Sequence, residues 1–85
     1  MTDVELYSTN LCPYCWRAKG LLERKGVPYT EIDATDAEAH AAMIVRAGGM
    51  RTVPQIFIGG HHVGGSDELA ALERAGELDS LLAGA

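Results

Sequence analysis

Residues 4–22 read VELYSTNLCPYCWRAKGLL, and this stretch decides the fold. Val4 and Leu6, with Glu5 between them, form a short period-two strand ending near Ser8. Pro13 stands where a first helical residue tolerates a missing N–H. Behind it Ala18, Leu21 and Leu22 recur at helical spacing, and Gly26 stops the helix. Residues 28–33 read as a second strand, so the opening third of the chain is a βαβ unit with parallel strands.

Further along, Thr35 to Glu38 has the Thr-x-x-Glu pattern of a capping box, and the Ala- and Met-bearing run behind it is a second helix closed by Gly48-Gly49. Gln55-Ile56-Phe57-Ile58 and His61-His62-Val63, separated by Gly59-Gly60, predict a hairpin. Ser66 is placed to cap a third helix, with Asp67 and Glu68 on its positive end. Gly76 ends that helix, and Leu78, Leu81 and Leu82 suggest a last short amphipathic one. The order βαβ, α, ββα places the chain in the α/β class.

With 85 residues the chain is expected to be one domain, residues 1–85. Apolar residues make up 47% and charged residues 22%, which excludes disorder and collagen-like repeats. Two cysteines allow at most one disulfide, so this is no disulfide framework. The net charge of −5 argues against a nucleic-acid partner, which calls for a basic surface. The charge is uneven: Arg17, Lys19, Arg24 and Lys25 outweigh Glu23 around the cysteines, while residues 61–85 are acidic. The N-terminus has neither a basic nor an apolar leader pattern, and the longest uncharged stretch, Thr52 to Ser66, is too short and polar to span a membrane. A cytoplasmic location is the resulting expectation. There a close cysteine pair serves catalysis or metal binding more often than structure.

Cys12-Pro13-Tyr14-Cys15 lies between a strand and a helix, where a Cys-x-x-Cys pair reads as a redox site. The spacing sets Cys12 at the helix cap and Cys15 one turn further in, within bonding reach. Free backbone N–H groups and the helix dipole favour a thiolate at Cys12, and Lys19 is expected to add positive potential. Lowering a thiol pKa from about 8.5 to about 5 raises the thiolate fraction at pH 7 about 30-fold. Nucleophilicity falls about 40-fold over the same range. Attack therefore gains almost nothing; departure gains, which suits a catalyst that must attack and leave in one cycle.

A zinc site would need two histidines beside the cysteines. His61 and His62 are consecutive strand residues facing opposite ways, and His40 has no histidine three to five residues away, so no metal is expected and all three read as surface residues. An inert buried cysteine pair is disfavoured by Pro13, which puts Cys12 at an exposed helix end.

Taken together, Cys12-Pro13-Tyr14-Cys15, Arg17-Ala18-Lys19, Thr52-Val53-Pro54 and Gly64-Gly65-Ser66-Asp67, in this order and over nearly the whole chain, resemble the glutaredoxins, in particular their short bacterial dithiol class. The resemblance implies a thioredoxin fold, a four-stranded mixed sheet ordered 2-1-3-4 flanked by three to four helices. It implies a thiol–disulfide oxidoreductase with Cys12 and Cys15 catalytic, no bound cofactor, and glutathione as reducing co-substrate. Its clients would be disulfide-containing or glutathionylated proteins, ribonucleotide reductase being a common family client, and the enzyme would act as a monomer. In this family the proline matching Pro54 is cis and lies beside the first cysteine. Val53 then pairs with the cysteinyl part of glutathione as an added strand, with Tyr14, Arg51 and Thr52 around it. Gly65, Ser66 and Asp67 take the γ-glutamyl end: helix N–H groups for the carboxylate, Asp67 for the ammonium. On local pattern alone Pro54 is a loop proline and Ser66 and Asp67 are cap residues.

Three positions depart from the family or stand out. Many dithiol members carry a lysine where this chain has Thr9, and Arg51 or Arg46 would have to replace its charge toward glutathione. Glu68 stands where paired aspartates are frequent and keeps the charge. Trp16 lies one turn below Cys12 on a face expected to meet solvent, either as a lone exposed aromatic or as a platform for partner proteins. Two other functions fit a small Cys-x-x-Cys protein: a redoxin reduced by thioredoxin reductase, and a module binding an iron–sulfur cluster through glutathione. The first typically lacks the Ser66-Asp67 site, and Pro13 stiffens the loop against the second.

Overall fold

The computed structural model describes residues 2–84; the expected domain also includes Met1 and Ala85, which lie outside the described residues. The elements are β1 (Val4–Ser8), α1 (Pro13–Arg24), β2 (Thr30–Asp33), α2 (Ala37–Arg46), β3 (Gln55–Ile58), β4 (His61–Gly64), α3 (Ser66–Arg74) and α4 (Leu78–Leu82). The strands form one sheet in the order β2-β1-β3-β4. β1 and β2 are parallel, from Glu5 beside Thr30 to Ser8 beside Asp33. β1 with β3, and β3 with β4, are antiparallel. This is the thioredoxin fold, with the strand order that the resemblance implied.

Strand alternation sorts the core into two faces. Val4, Leu6, Ile56 and Ile58 point toward α1, α3 and α4, where they meet Ala18, Leu22, Leu69, Leu78 and Leu82. Tyr7 and Phe57 point the other way, under α2, and pack with Met43 and Ala47. β3 is thus buried on both sides along its length. Leu22 has no solvent exposure. Its truncation to Ala would cost about 2–5 kcal/mol. The α2 face is thinner and is closed by Arg46, whose guanidinium lies 4.1 Å from the Phe57 ring centre and bonds Glu5 at 2.9 Å. Gly59 and Gly60 both take positive φ, as the tight β3–β4 turn demands.

Three local expectations are corrected. β2 begins at Thr30, two residues later than expected, since Pro28 has no N–H to give the ladder. The cap of α2 is Asp36, which accepts the Ala39 N–H at 3.0 Å; the Thr35 hydroxyl instead donates to Asp33 at 2.7 Å. α3 is capped from Gly65, with Ser66 already inside the helix. There Glu68 accepts the Gly65 N–H at 2.7 Å, so it does more than preserve a charge.

Candidate active site

β1 ends, β3 begins and β4 ends at the same edge, because Tyr7 pairs with Gln55 and Ile56 with Gly64. The three loops that follow or precede these ends therefore converge. One carries Cys12, the second Thr52-Val53-Pro54, the third Gly65-Ser66-Asp67.

Cys12 is the N-cap of α1. Its sulfur accepts the Cys15 backbone N–H at 3.2 Å and faces the Val53 carbonyl at 3.7 Å, across 41 positions of sequence. The Val53–Pro54 peptide is cis. Cys12 occupies the helix end as expected, but it is not an exposed residue: only 7% of its surface meets solvent, because the first helical turn and Val53 cover it. Cys15 is wholly buried. Burial, then its hydrogen bond with Cys12, pushes the Cys15 thiol up from 9.0 to about 11. Both cysteines are free thiols.

Lys19 adds positive potential at the pair as expected, lowering the Cys15 pKa, although it is also engaged elsewhere. Its ammonium bonds Glu31 at 2.8 Å, and the Ser8 hydroxyl donates to the same carboxylate at 2.5 Å. That hydrogen bond raises the Lys19 pKa and, with Ser8, lowers that of Glu31. Lys19 is thus shared between Glu31 and the cysteine pair. Arg17 lies over the exposed Tyr14 ring, 5.4 Å from its centre. Lys25 is tied to Glu73 and Asp79 at the far end of the helix.

A cleft of about 240 Å³ opens between the loops. Tyr14, Thr52, Val53 and Pro54 line one side, and Gly65, Ser66 and Asp67 the other. Of the residues assigned to glutathione from sequence, only Arg51 is not among the lining. It is exposed beside the cleft, and its carbonyl is bonded to His40 Nε2 at 3.0 Å. Arg46 is not among the lining either: Glu5, Tyr7 and Phe57 hold its guanidinium on the α2 face. Trp16 is 53% exposed, on the solvent face of α1.

Met50 and Gln55 also line the cleft and escaped the sequence reading. Gln55 has no solvent exposure and bonds the Thr52 carbonyl at 2.9 Å through its amide nitrogen. Its signal was available, since Gln55 and Phe57 share a strand face and a polar residue on a buried face needs a partner. His62 is that partner, at 2.6 Å, and is half-buried beside Phe57 instead of free on the surface. His40, bonded to Arg51, is half-buried too. Among the described residues no group of three or more His, Cys, Asp or Glu side chains could hold a metal ion. No helix there is long and apolar enough to cross a membrane.

The sequence pattern of the glutaredoxin family matches residues 4–63. The chain is 55% identical over 82 residues to a glutaredoxin of Pseudomonas aeruginosa, covering 96% of this chain and 98% of that one. Against glutaredoxin 3 of Escherichia coli it is 46% identical, covering 96% and 99%. Among solved structures, a buckwheat glutaredoxin in complex with glutathione superposes with a TM-score of 0.87 at 34% identity, covering 96% of this chain and 77% of that one.

Proposed function

Since this chain belongs to the glutaredoxin family, as a short bacterial-type dithiol member and a glutathione-dependent thiol–disulfide oxidoreductase, we propose that Cys12 is its attacking thiol, Cys15 its resolving thiol and the adjoining cleft its glutathione site. The observation that carries this reading is the contrast between the cysteines. The Cys12 sulfur receives an N–H at the helix start, whereas Cys15 is buried with its proton held up to about 11.

In the dithiol route the Cys12 thiolate attacks one sulfur of a client disulfide. The other sulfur leaves as a thiolate and takes up a proton. Cys15 then gives up its proton and attacks the Cys12 sulfur, expelling the client's second thiolate. The client has gained two electrons, and Cys12–Cys15 is the disulfide. One glutathione reopens it as a mixed disulfide on Cys12. A second attacks the glutathionyl sulfur, and Cys12 departs as thiolate with oxidised glutathione released. In the monothiol route Cys12 takes the glutathionyl group from a modified protein directly, and Cys15 is not needed.

Val53 offers its backbone to the cysteinyl part of glutathione, with Thr52 and Tyr14 flanking it. The first N–H groups of α3 lack intrahelical partners and receive the γ-glutamyl carboxylate, while Asp67 accepts the ammonium. Glu68 satisfies Gly65 and so leaves the N–H groups of Ser66 and Asp67 to the ligand. Arg51 is the remaining cation near the Thr52 end for the glycyl carboxylate. We take residues 1–85 as one catalytic domain acting as a monomer in the cytoplasm, where a reducing milieu keeps such a pair cycling. Ribonucleotide reductase belongs to the client class, and no residue of this chain singles it out.

The site assignment is tested by amide chemical shifts on forming the Cys12–glutathione mixed disulfide in Cys15→Ser. The reading expects the largest changes at Val53, Gly65, Ser66 and Asp67. Changes confined to the first turn of α1 would contradict it.

A further inference from the structure

We propose that His62 and Gln55 form a positioning pair that holds the Thr52–Pro54 segment in the shape glutathione requires, acting on glutathione affinity from behind the site. This rests on the proposed pairing of that segment with glutathione. The Gln55 side chain is fully buried, and its Nε2 donates to the Thr52 carbonyl at 2.9 Å and lies 3.3 Å from the Thr52 hydroxyl. A carbonyl can only accept, so the amide nitrogen must face Thr52 and the amide oxygen must face away. That oxygen lies 2.6 Å from His62 Nε2. His62 must therefore carry its proton on Nε2 and donate it.

The fold explains why the pair exists. Phe57 lies opposite His62 in the ladder, so both side chains and Gln55 share the α2 face of the sheet. The pairing slips by one residue between Ile56 and Phe57, an irregularity that can re-aim a side chain. Gln55, Phe57 and His62 together finish that face: the His62 ring lies 5.1 Å from Phe57, and Arg46 holds Phe57 at 4.1 Å. Among the described residues no buried side-chain polar atom lacks a partner, so the Gln55 amide is fully used. Removing the His62 donor strands the Gln55 oxygen, and the amide can then turn away from Thr52. Neither His62 nor Gln55 is hydrogen-bonded to a cysteine, and the segment they shape meets Cys12 only through the Val53 carbonyl at 3.7 Å, so the effect should fall mainly on glutathione binding.

The test is steady-state turnover of a small glutathione mixed disulfide by wild type, His62→Phe and His62→Gln. Phe keeps a ring against Phe57 and removes the donor; Gln restores an N–H. The expected result is a KM for glutathione raised about 5-fold in His62→Phe, the weight of one neutral hydrogen bond. Its kcat should change less than its KM, and His62→Gln should return KM toward the wild-type value. An unchanged KM in His62→Phe, or no recovery in His62→Gln, overturns the inference. Imidazole nitrogen shifts of the wild-type protein at pH 8 give an independent reading: a proton on Nε2 supports the pair and one on Nδ1 overturns it. Hydrogen exchange at the Val53 amide separates this inference from the site assignment beneath it. If glutathionylation of wild type does not slow that exchange, the assignment itself fails. If exchange slows equally in wild type and His62→Phe, with equal KM, only the positioning pair fails.

Discussion

The backbone N–H of Cys15 points at the sulfur of Cys12 from 3.2 Å, while the Cys15 sulfur lies wholly out of solvent. One residue thus lends its amide to its partner's sulfur and keeps its own proton. The asymmetry divides the labour of the pair. On the proposed reading Cys12 attacks and leaves, and Cys15 stays silent until a mixed disulfide forms beside it.

Alkylation should report this division. One equivalent of iodoacetamide added to the reduced protein at pH 7 should label Cys12 alone, as read by peptide mass spectrometry. Stability adds a second signature. The Cys15 proton is held more tightly in the folded chain than in the unfolded one, its pKa rising from 9.0 to about 11. The stabilisation is therefore complete below the ordinary value and is lost as pH climbs through that window. Urea midpoints of wild type minus Cys15→Ser should fall between those two pH values and stay level below them.

The Lys19–Glu31 pair should matter at neutral pH and not in acid. Glu31 is held below its ordinary value of 4.5 by hydrogen bonds from Lys19 and then Ser8. A depressed carboxylate stabilises the fold above its unfolded pKa, and the effect disappears as pH falls through the folded one. Glu31→Gln should lower the urea midpoint at pH 7, and the gap from wild type should narrow as pH falls below the ordinary value of 4.5. The Glu31 side chain is 43% exposed, so the effect should be modest.

Arg46 and Arg51 should separate stability from binding. Arg46→Ala loses the cation over Phe57 and the ion pair to Glu5, and should cost about 1–2 kcal/mol in urea unfolding. It should leave the KM for glutathione unchanged. Arg51→Ala should do the reverse, raising that KM about 2- to 5-fold, as expected for an exposed charge pair, with little effect on stability.

Trp16 should matter for large substrates. The residue is 53% exposed, one turn from Cys12. Trp16→Ala should slow reduction of a protein disulfide more than that of a small glutathione mixed disulfide. Equal effects in the two assays would leave Trp16 as a bystander.

Much of this was legible in the sequence because it is local. The alternation of Val4 and Leu6, the helical spacing of Ala18 and Leu22, and the Gly59-Gly60 turn each announce their element within a few residues. The misreadings came from contacts made at a distance. The Glu31 partner of Lys19 was not visible, because it is parallel pairing of β1 and β2 that brings it there. Thr35 looked like a cap until Asp33 took its hydroxyl. Arg46 was one of two arginines offered as a ligand cation, yet its guanidinium is engaged by Glu5 and Phe57. Gln55 and His62 were passed over because their roles depend on how far α2 covers the sheet, which no single segment reveals.

The central claim is that glutathione turns this enzyme over through Cys12, with Cys15 needed only for protein disulfides. A glutathione-coupled mixed-disulfide assay on wild type, Cys12→Ser and Cys15→Ser tests it most directly. Wild type and Cys15→Ser should both turn over, and Cys12→Ser should be inactive. Absence of glutathione-dependent turnover in wild type, or retained activity in Cys12→Ser, would contradict the account.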